Sequence, residues 1–428
     1  MPPALPLTSF NPTSRHEAPL SFTSFPRERR AFASDREMRL LMDIPSTPRL
    51  GRAYRPSPVN LHGGPIRVAV IGMGFGSAVH IPALKYLDET EVVAVCARRE
   101  ERAKAVAARH NIEIASDNWR EVINHPEVDA VVIATPPYLH HQMVIAALEA
   151  GKHVLCEKPL ARNLAETRDM VKLAQVANVV AMVNHEFRYL PVRARVKELI
   201  DEGYIGEPHT ASTVVFRSSL ADPNERPYGW LMEQDKAGGM LGASGSHYID
   251  TLRWWLGDIH AVCGTTSTKV THRRLPDSSS MARVDADDNF AFILRFANGA
   301  IATVHFSATA PTEAGEETTI SGAEGMLIVQ GDGQLFGARR RDVTLRELPI
   351  PDHLRFRLPE FGHYLTRPTI MLMKDWVKAI HAGEGATFSP SFSDGEKVQE
   401  IIDGVTRSSA QGRWIDTSGT RWPTASTF

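Results

Sequence analysis

The stretch Arg67–His80 reads RVAVIGMGFGSAVH and decides the fold of the first half of the chain. A β-branched run, Val68–Ile71, leads into the glycine-rich turn Gly72–Gly76, and an apolar segment typical of a helix follows. A strand, a Gly-x-Gly turn and a helix in this order begin a dinucleotide-binding unit. We therefore expect a parallel α/β domain with a nucleotide cofactor at its first turn.

The glycines of this turn have different roles. Gly72 permits the tight turn out of the strand, and Gly74 has no Cβ, so the backbone can approach a pyrophosphate closely. The first N–H groups of the following helix and its dipole favour that anion. The third glycine of the full pattern would fall at Ser77 but stands one residue earlier. The residues expected to contact the cofactor here are Gly72, Gly74, Phe75 and Gly76.

The composition is that of an ordinary globular protein. Of the 428 residues, 43% are hydrophobic and 23% are charged, and the formal net charge is −2. This charge gives no electrostatic reason to bind nucleic acid or an anionic membrane, and no apolar run reaches the ~18 residues of a membrane span. Three scattered cysteines, Cys96, Cys156 and Cys263, fit neither a disulfide framework nor a zinc site. We expect free thiols, a reducing compartment and no metal.

Residues 1–64 differ from the rest of the chain. They hold ten of the 28 prolines and nine arginines but no lysine. Such a segment cannot bury an apolar core, so we expect it to be disordered. An Arg-rich, Ser-rich and Lys-free segment also resembles a mitochondrial transit peptide, although its five acidic residues and its prolines argue against one. A cytoplasmic location is expected, with a mitochondrial one as the alternative.

Two domains follow this extension. Strand-like and helix-like runs alternate over residues 65–186, which predicts right-handed βαβ crossovers and a parallel sheet. Strand-like runs dominate later, and Asn298-Gly299 predicts a hairpin turn between two of them. We expect a Rossmann dinucleotide-binding domain over residues 65–186. An α+β domain with an open, largely antiparallel sheet should occupy residues 187–428.

The tetrapeptide Cys156-Glu157-Lys158-Pro159 follows a strand-like run. Ligands of open parallel sheets bind at the carboxyl ends of the strands. A lysine at this edge can donate a hydrogen bond to a substrate oxygen and lower the pKa of that oxygen. The sequence alone equally allows a loop lysine after which Pro159 ends the strand.

From Ile66 to about Trp414 the chain resembles the Gfo/Idh/MocA oxidoreductases, named after glucose–fructose oxidoreductase and inositol dehydrogenase. The motifs are GMGFGSAVHIPAL at Gly72–Leu84, ATPPYLH at Ala134–His140, GKHVLCEKPLA at Gly151–Ala161, FRYLP at Phe187–Pro191, GSHYID at Gly245–Asp250 and SPSFSDG at Ser389–Gly395. The resemblance implies a Rossmann domain followed by an α+β substrate domain whose open sheet forms homo-oligomers, as dimers or tetramers. It also implies oxidation or reduction of sugars and polyols with NAD(P).

The resemblance further implies roles for individual residues. Lys158 would contact both substrate and nicotinamide, and His247 would be the acid or base, so these two are the expected catalytic residues. Further cofactor contacts are expected at Thr135, Pro136, His140 and Glu157. Arg188, Trp230 and Tyr248 are weaker candidates for a sugar pocket, because aromatic rings stack on sugars.

Two positions depart from the family pattern. Many relatives carry Asp four residues before the histidine, where this chain has Ala243, and Asn where it has Pro137. A carboxylate at position 243 would orient the imidazole and tune its pKa. Without it, His247 works alone, pairs with another residue or is not catalytic. The alternatives to a dehydrogenase are an NAD-dependent glycosidase of the same family and a non-catalytic cofactor-binding regulator.

The end of the second predicted strand bears on the choice of cofactor. NAD-binding sites place an acid there to hold the ribose 2′-OH. Here the run Val95–Arg99 has no acid and ends in two arginines, whose guanidinium groups suit a 2′-phosphate. We expect NADP(H) to be preferred through Arg98, with NAD(H) as the other possibility.

Overall fold

The computed structural model describes residues 64–383 and 385–417. The disorder expected for residues 1–64 therefore falls, apart from Gly64, outside the described residues.

The first sheet has six parallel strands. They are β1 (Ile66–Ile71), β2 (Thr90–Cys96), β3 (Ile114–Ser116), β4 (Ala130–Ile133), β5 (His153–Cys156) and β6 (Ala181–Val183). The strand order is β3-β2-β1-β4-β5-β6. The order reverses between β1 and β4, and in such sheets a crevice opens at that point beyond the carboxyl ends of the strands. The predicted Rossmann sheet is confirmed.

Helices cover both faces of this sheet. They are a π-helical turn (Gly76–His80) continued by α1 (Ile81–Tyr86), then α2 (Glu100–His110), α3 (Trp119–Asn124), α4 (His140–Glu149) and α5 (Leu164–Val176). Side chains of β1 alternate between the two faces: Val68 and Val70 enter one apolar core, and Ala69 and Ile71 enter the other. Burial on both faces explains why this strand is a continuous apolar run.

The second sheet is formed by strands that follow the first sheet along the chain. These later strands, including the separate β9–β10 hairpin, are β7 (Pro208–Phe216), β8 (Ile259–Ser267), β9 (His272–Arg274), β10 (Met281–Arg283), β11 (Asn289–Phe296), β12 (Ile301–Ser307), β13 (Gly315–Gly322), β14 (Gly325–Gln330), β15 (Gln334–Arg339), β16 (Arg346–Glu347) and β17 (Ile415–Asp416). The sheet has nine of them in the order β16-β15-β14-β13-β7-β12-β11-β8-β17. Within the nine-stranded sheet only β7 and β12 pair in parallel. The hairpin predicted at Asn298-Gly299 joins β11 to β12. The predicted largely antiparallel sheet is confirmed.

One face of this second sheet is covered by helices. They are α6 (Pro191–Asp201), α7 (Ser246–Leu256) and α9 (Phe392–Gln411), and their apolar residues share a core with β11. The remaining long helix, α8 (Thr366–Ala382), packs elsewhere: Ile370, Met373 and Trp376 lie in the apolar core of the first sheet. The boundary predicted at residue 187 therefore does not separate the two cores, because the chain returns to the first one late in its length.

A buried guanidinium joins three segments of the molecule. Arg188, in the 3-10 turn Glu186–Tyr189, donates through Nε and Nη2 to both carboxylate oxygens of Asp250 in α7, at 2.7 and 2.5 Å. Its Nη1 donates to Ser389 Oγ at 2.6 Å, and Nη2 lies 3.4 Å from Asp394 Oδ1 at the start of α9. Arg188 and Asp250 are 5% and 1% exposed. Arg188 therefore fixes the turn against α7 through Asp250 and against α9 through Asp394.

We expect Arg188→Met to destabilise the fold strongly. The substitution keeps the apolar stem but leaves Asp250 buried without its cation, which costs about 3–5 kcal/mol. Urea unfolding should show this loss of unfolding free energy. The matched control is Arg168→Met, which breaks a half-exposed pair with Glu396 and should cost less than about 1 kcal/mol. Equal losses in the two variants would show that Arg188 does not stabilise the fold through this pair.

Candidate active site

The glycine-rich turn has the geometry that a dinucleotide requires. Gly72 has φ +104°, and a Cβ there would lie 2.4 Å from the Ala134 carbonyl oxygen. At Gly76 a Cβ would lie 3.0 Å from Val70 Cγ1, so this glycine allows the helix to pack closely on β1. A Cβ at Gly74 would meet no heavy atom within 4 Å, so the backbone there is open to a ligand. The turn fits the predicted pyrophosphate site.

Two side chains fix the position of the glycine-rich turn: Arg102, which donates to its backbone, and Phe75, which extends from it. Arg102 of α2 donates to the Met73 carbonyl oxygen at 2.6 Å. The Phe75 ring packs edge-on against His80 and His363, with centroids 5.4 and 5.5 Å away. The position of the turn is therefore set by the first domain and by a late segment of the chain.

The structure brings the other predicted cofactor residues to the same sheet edge. The Gly72 N–H donates to the Cys96 carbonyl oxygen at 2.9 Å, which places the end of β2 beside the turn. Arg98 and Arg99 follow β2 and are exposed. Thr135 and Pro136 follow β4 and are half-buried. Whether each residue contacts cofactor stays a prediction.

His140 is fully buried and connects two loops. Its Nε2 lies 2.7 Å from the Thr135 carbonyl oxygen, and its Nδ1 lies 3.2 Å from the Pro159 carbonyl oxygen. Burial lowers the pKa of this imidazole, which favours the neutral form. A neutral imidazole donates one hydrogen bond at a time. His140 therefore contacts the loop after β4 and the loop after β5 and donates to one of the two carbonyl oxygens at a time; a direct cofactor contact stays a prediction.

Glu157 is a buried anchor beneath the lysine. Its Oε1 accepts from Asn184 Nδ2 at 2.7 Å and lies 2.8 Å from His80 Nε2, while Oε2 accepts from the Lys158 N–H at 3.2 Å. Burial alone would raise the pKa of Glu157, but the His80 contact and the Lys158 charge lower it overall. Glu157 is therefore a carboxylate with both oxygens engaged.

Lys158 points across the cleft to the second domain. Its Nζ donates to the Ala243 carbonyl oxygen at 3.1 Å, and the residue is half-buried. An ammonium group has three donors, so two remain for other oxygen atoms. Position 243, which is Asp in many relatives, therefore contacts Lys158 through its backbone carbonyl oxygen.

His247 lies in the first turn of α7 and is 4% exposed. The Phe187 ring stacks on its imidazole at 3.8 Å with an interplanar angle of 10°. Burial, and then the positive charge of Lys158, hold the pKa of His247 well below its usual range. The imidazole is therefore neutral near pH 7 and able to accept a proton.

Sequence reasoning missed Glu186, which lies next to His247. Its Oε1 is 3.8 Å from His247 Nε2, and the residue is 0% exposed. Burial and the charge of Glu157 raise the pKa of Glu186 to about 8, against the opposing effect of Lys158. The one sequence signal was an acid between a histidine and a phenylalanine, directly before the FRYLP motif.

Comparison with known proteins agrees with this geometry. Residues 66–185 match the family model described as an oxidoreductase family with an NAD-binding Rossmann fold, and residues 194–328 match the GFO/IDH/MocA C-terminal domain. The chain belongs to the Gfo/Idh/MocA oxidoreductase family. It is therefore an oxidoreductase that binds a nicotinamide cofactor.

Members of this family align with about four fifths of this chain. An uncharacterised oxidoreductase of Synechocystis sp. is 32% identical over 359 residues, covering 82% of this chain and 95% of the relative. Levoglucosan dehydrogenase of Pseudarthrobacter phenanthrenivorans is 32% identical over 384 residues, covering 81% and 93%. A structure of levoglucosan dehydrogenase with NADH and L-sorbose superposes with a TM-score of 0.76 at 30% identity, covering 83% and 99%.

The weaker substrate candidates of this Gfo/Idh/MocA protein are already engaged within the protein. Arg188 lies in the buried ion pair with Asp250, and the Tyr248 hydroxyl donates to Glu316 Oε2 at 2.9 Å. Trp230 is half-buried against the core of the second domain. Their contact with a sugar stays a prediction, and the packing gives each of them a structural role.

Within residues 64–383 and 385–417, no helix is long and apolar enough to cross a membrane. In the same part of the chain, no group of three or more His, Cys, Asp or Glu residues is arranged to hold a metal ion.

Proposed function

We propose that this protein transfers hydride between NADP(H) and a carbinol or carbonyl carbon of a sugar or related polyol. The observation that carries the proposal is the position of Lys158: it follows β5 at the sheet edge that holds the glycine turn, with two donors left after its contact to the Ala243 carbonyl oxygen. The substrate class also draws support from the relative named levoglucosan dehydrogenase and from its complex with L-sorbose.

The proposed chemistry uses two residues of the chain. Lys158 donates to the reacting oxygen and stabilises the negative charge that develops there. His247, neutral because it is buried beside a cation, accepts the hydroxyl proton in oxidation and returns it in reduction. A dinucleotide held at the glycine turn Gly72–Gly76 would supply or accept the hydride through its nicotinamide. Most of the rate enhancement comes from holding these groups in line.

Three measurements distinguish this function from two alternatives. Incubation with NADP⁺ and a panel of sugars and polyols, followed at 340 nm, detects a dehydrogenase. Release of an aglycone without net change in the cofactor would indicate a family glycosidase. Cofactor binding without either turnover would indicate a regulator, the reading that Ala243 favours.

The preference for NADP(H) rests on Arg98 and Arg99. Both are exposed after β2, and Ala97 stands where an acid would hold a ribose 2′-OH. The related dehydrogenase structure is a complex with NADH, and NAD(H) is therefore the alternative cofactor to test.

We expect Arg98→Ala to weaken NADP(H) binding by roughly ten- to hundred-fold, because one charge-assisted phosphate contact contributes about 1.5–3 kcal/mol. NAD(H) binding should change little. Fluorescence titration of both cofactors measures the effect, and Arg109→Ala, at the other end of α2, is the control. Equal affinities of the wild type for the two cofactors would overturn the preference.

We expect Lys158→Met to lower kcat and kcat/KM together, by roughly 10²–10³-fold, because the lost contact acts on the transition state. Stability and cofactor affinity should stay close to wild type. His247→Ala should lower turnover less than Lys158→Met, because Ala243 leaves the imidazole without the aspartate that many relatives carry. The control is Lys152→Met at the opposite end of β5, whose Nζ donates to the Val128 carbonyl oxygen. Near-wild-type turnover of Lys158→Met would contradict the mechanism.

We also propose a homo-oligomer formed through the open face of the second sheet. Val214, Ile293 and Ile301 project from three neighbouring strands of that face and are 38–46% exposed. Burial of such side chains against a second copy is favourable.

The free cysteines further support a reducing compartment such as the cytoplasm.

We expect Ile293→Glu to convert the oligomer to a 47.3 kDa monomer, because a charge in an apolar interface is not compensated. Size-exclusion chromatography with light scattering gives the masses. Val176→Glu, a change at an exposed valine in α5, should keep the wild-type mass. A monomeric wild type would contradict the proposal.

A further inference from the structure

Glu186 is a buried carboxyl group whose oxygens meet no hydrogen-bond partner in the described part of the chain. The residue is 0% exposed, and neither Oε1 nor Oε2 is satisfied within the described residues. A buried polar group without a partner is unfavourable, and natural proteins keep few of them. The group it faces is His247, whose Nε2 lies 3.8 Å from Oε1 and whose Nδ1 is also unsatisfied.

We propose that Glu186 is a positioning residue that shares one proton with His247 and replaces the carboxylate missing at Ala243. The inference rests on the proposed function, because it concerns the proton step of that reaction. Glu186 has no exposed surface, so it acts through the imidazole and not on substrate directly.

The other carboxyl groups nearby are already engaged. Both oxygens of Glu157 have partners, among them His80 and Asn184. Both oxygens of Asp250 accept hydrogen bonds from Arg188. Among these three neighbouring carboxyls, Glu186 alone is available to the imidazole.

The same turn that carries Glu186 also orients the imidazole. Phe187 stacks on His247, and the Arg193 guanidinium carbon lies 4.5 Å from the centroid of the Phe187 ring. The turn is fixed by the buried Arg188 pair described above. The ring that stacks on the imidazole and the carboxyl group that faces it therefore come from the same turn, and a side-chain rotation that shortens the 3.8 Å separation would bring the two groups within hydrogen-bond distance.

The charges around the pair determine its protonation. Several titratable groups face the Glu186–His247 pair from neighbouring elements. They are Glu157 and Lys158 after β5, His185 next to Glu186 in the loop after β6, Arg193 in α6 and Asp250 in α7. Burial and Glu157 raise the pKa of Glu186 to about 8, while burial and Lys158 lower the pKa of His247. The pair thus holds one proton at pH 7 and none well above pH 8.

The proton balance of the oxidation follows from this. Above pH 8 the pair consists of a carboxylate and a neutral imidazole. The substrate O–H bond breaks, its proton joins His247, and the nearby carboxylate stabilises the imidazolium. The carbon loses its hydride to the oxidised nicotinamide of the proposed function, and the C–O bond becomes a carbonyl.

The first test uses the protein without cofactor or substrate. In ¹⁵N-histidine-labelled protein, the His247 signal is identified by its loss in His247→Ala. Its chemical shift should change with a midpoint near pH 8, where Glu186 loses its proton. In Glu186→Gln this transition should vanish, leaving one midpoint well below 6.5. Glu186→Asp should restore a transition above that of the glutamine variant. Identical titrations of wild type and Glu186→Gln would overturn the pairing.

The second test is the pH profile of sugar oxidation. The rising limb of kcat/KM should move from near pH 8 in the wild type to below 6.5 in Glu186→Gln, with the plateau at least about tenfold lower. Asp129→Asn, which removes a carboxylate paired with Arg67 far along the sheet, should keep the wild-type limb. A purely structural role of Glu186 would lower stability and leave the limb in place, which would overturn the inference. Absence of turnover in the wild type would overturn the proposed function instead, and the NMR titration would still decide the pairing.

Discussion

The geometry of the candidate site depends on the buried guanidinium of Arg188. Desolvation of this cation is unfavourable, and the two carboxylates and the Ser389 hydroxyl around it offset that cost. Although burial raises the pKa of Asp394, Arg188 and Arg253 hold it at about 2, so the anion persists at any physiological pH. Because Asp250 and Asp394 belong to different helices, one cation fixes the turn Glu186–Tyr189 relative to both. The stack of Phe187 on His247 follows from this arrangement.

Much of the fold was predictable because its signals are local. The β-branched run before Gly72 and the alternation of β11 and β12 around Asn298-Gly299 each carry their own period or turn chemistry. The long helix α9 was missed, although Ser391 and Asp394 form a capping box that marks its start. The packing of α8 into the first core was not predictable, because an amphipathic helix does not specify which sheet its apolar face will meet.

The residues of the candidate site likewise fall into a group that the sequence predicts and a group that it does not. Lys158, Thr135 and the glycine turn follow strands, and parallel topology brings the carboxyl ends of strands together, so their convergence could be predicted. Glu186 could not be found in this way. Its importance comes from its burial beside His247 without a hydrogen-bond partner among the described residues, which is a property of packing and not of any motif. Arg188 shows the reverse case, since a residue type that suits sugars is engaged by Asp250.

The two glutamates around Lys158 show how packing separates identical side chains into different roles. Glu157 accepts from Asn184 and the Lys158 N–H, and it stays ionised despite its burial. Glu186 has no such side-chain donor within the described residues, and burial and then the charge of Glu157 raise its pKa, so its proton is retained to higher pH. Environments that push the pKa values of like groups apart are a mark of acid–base sites. The loss of an aspartate at Ala243 therefore need not abolish proton transfer, provided that a neighbouring turn holds a carboxyl group near the same imidazole.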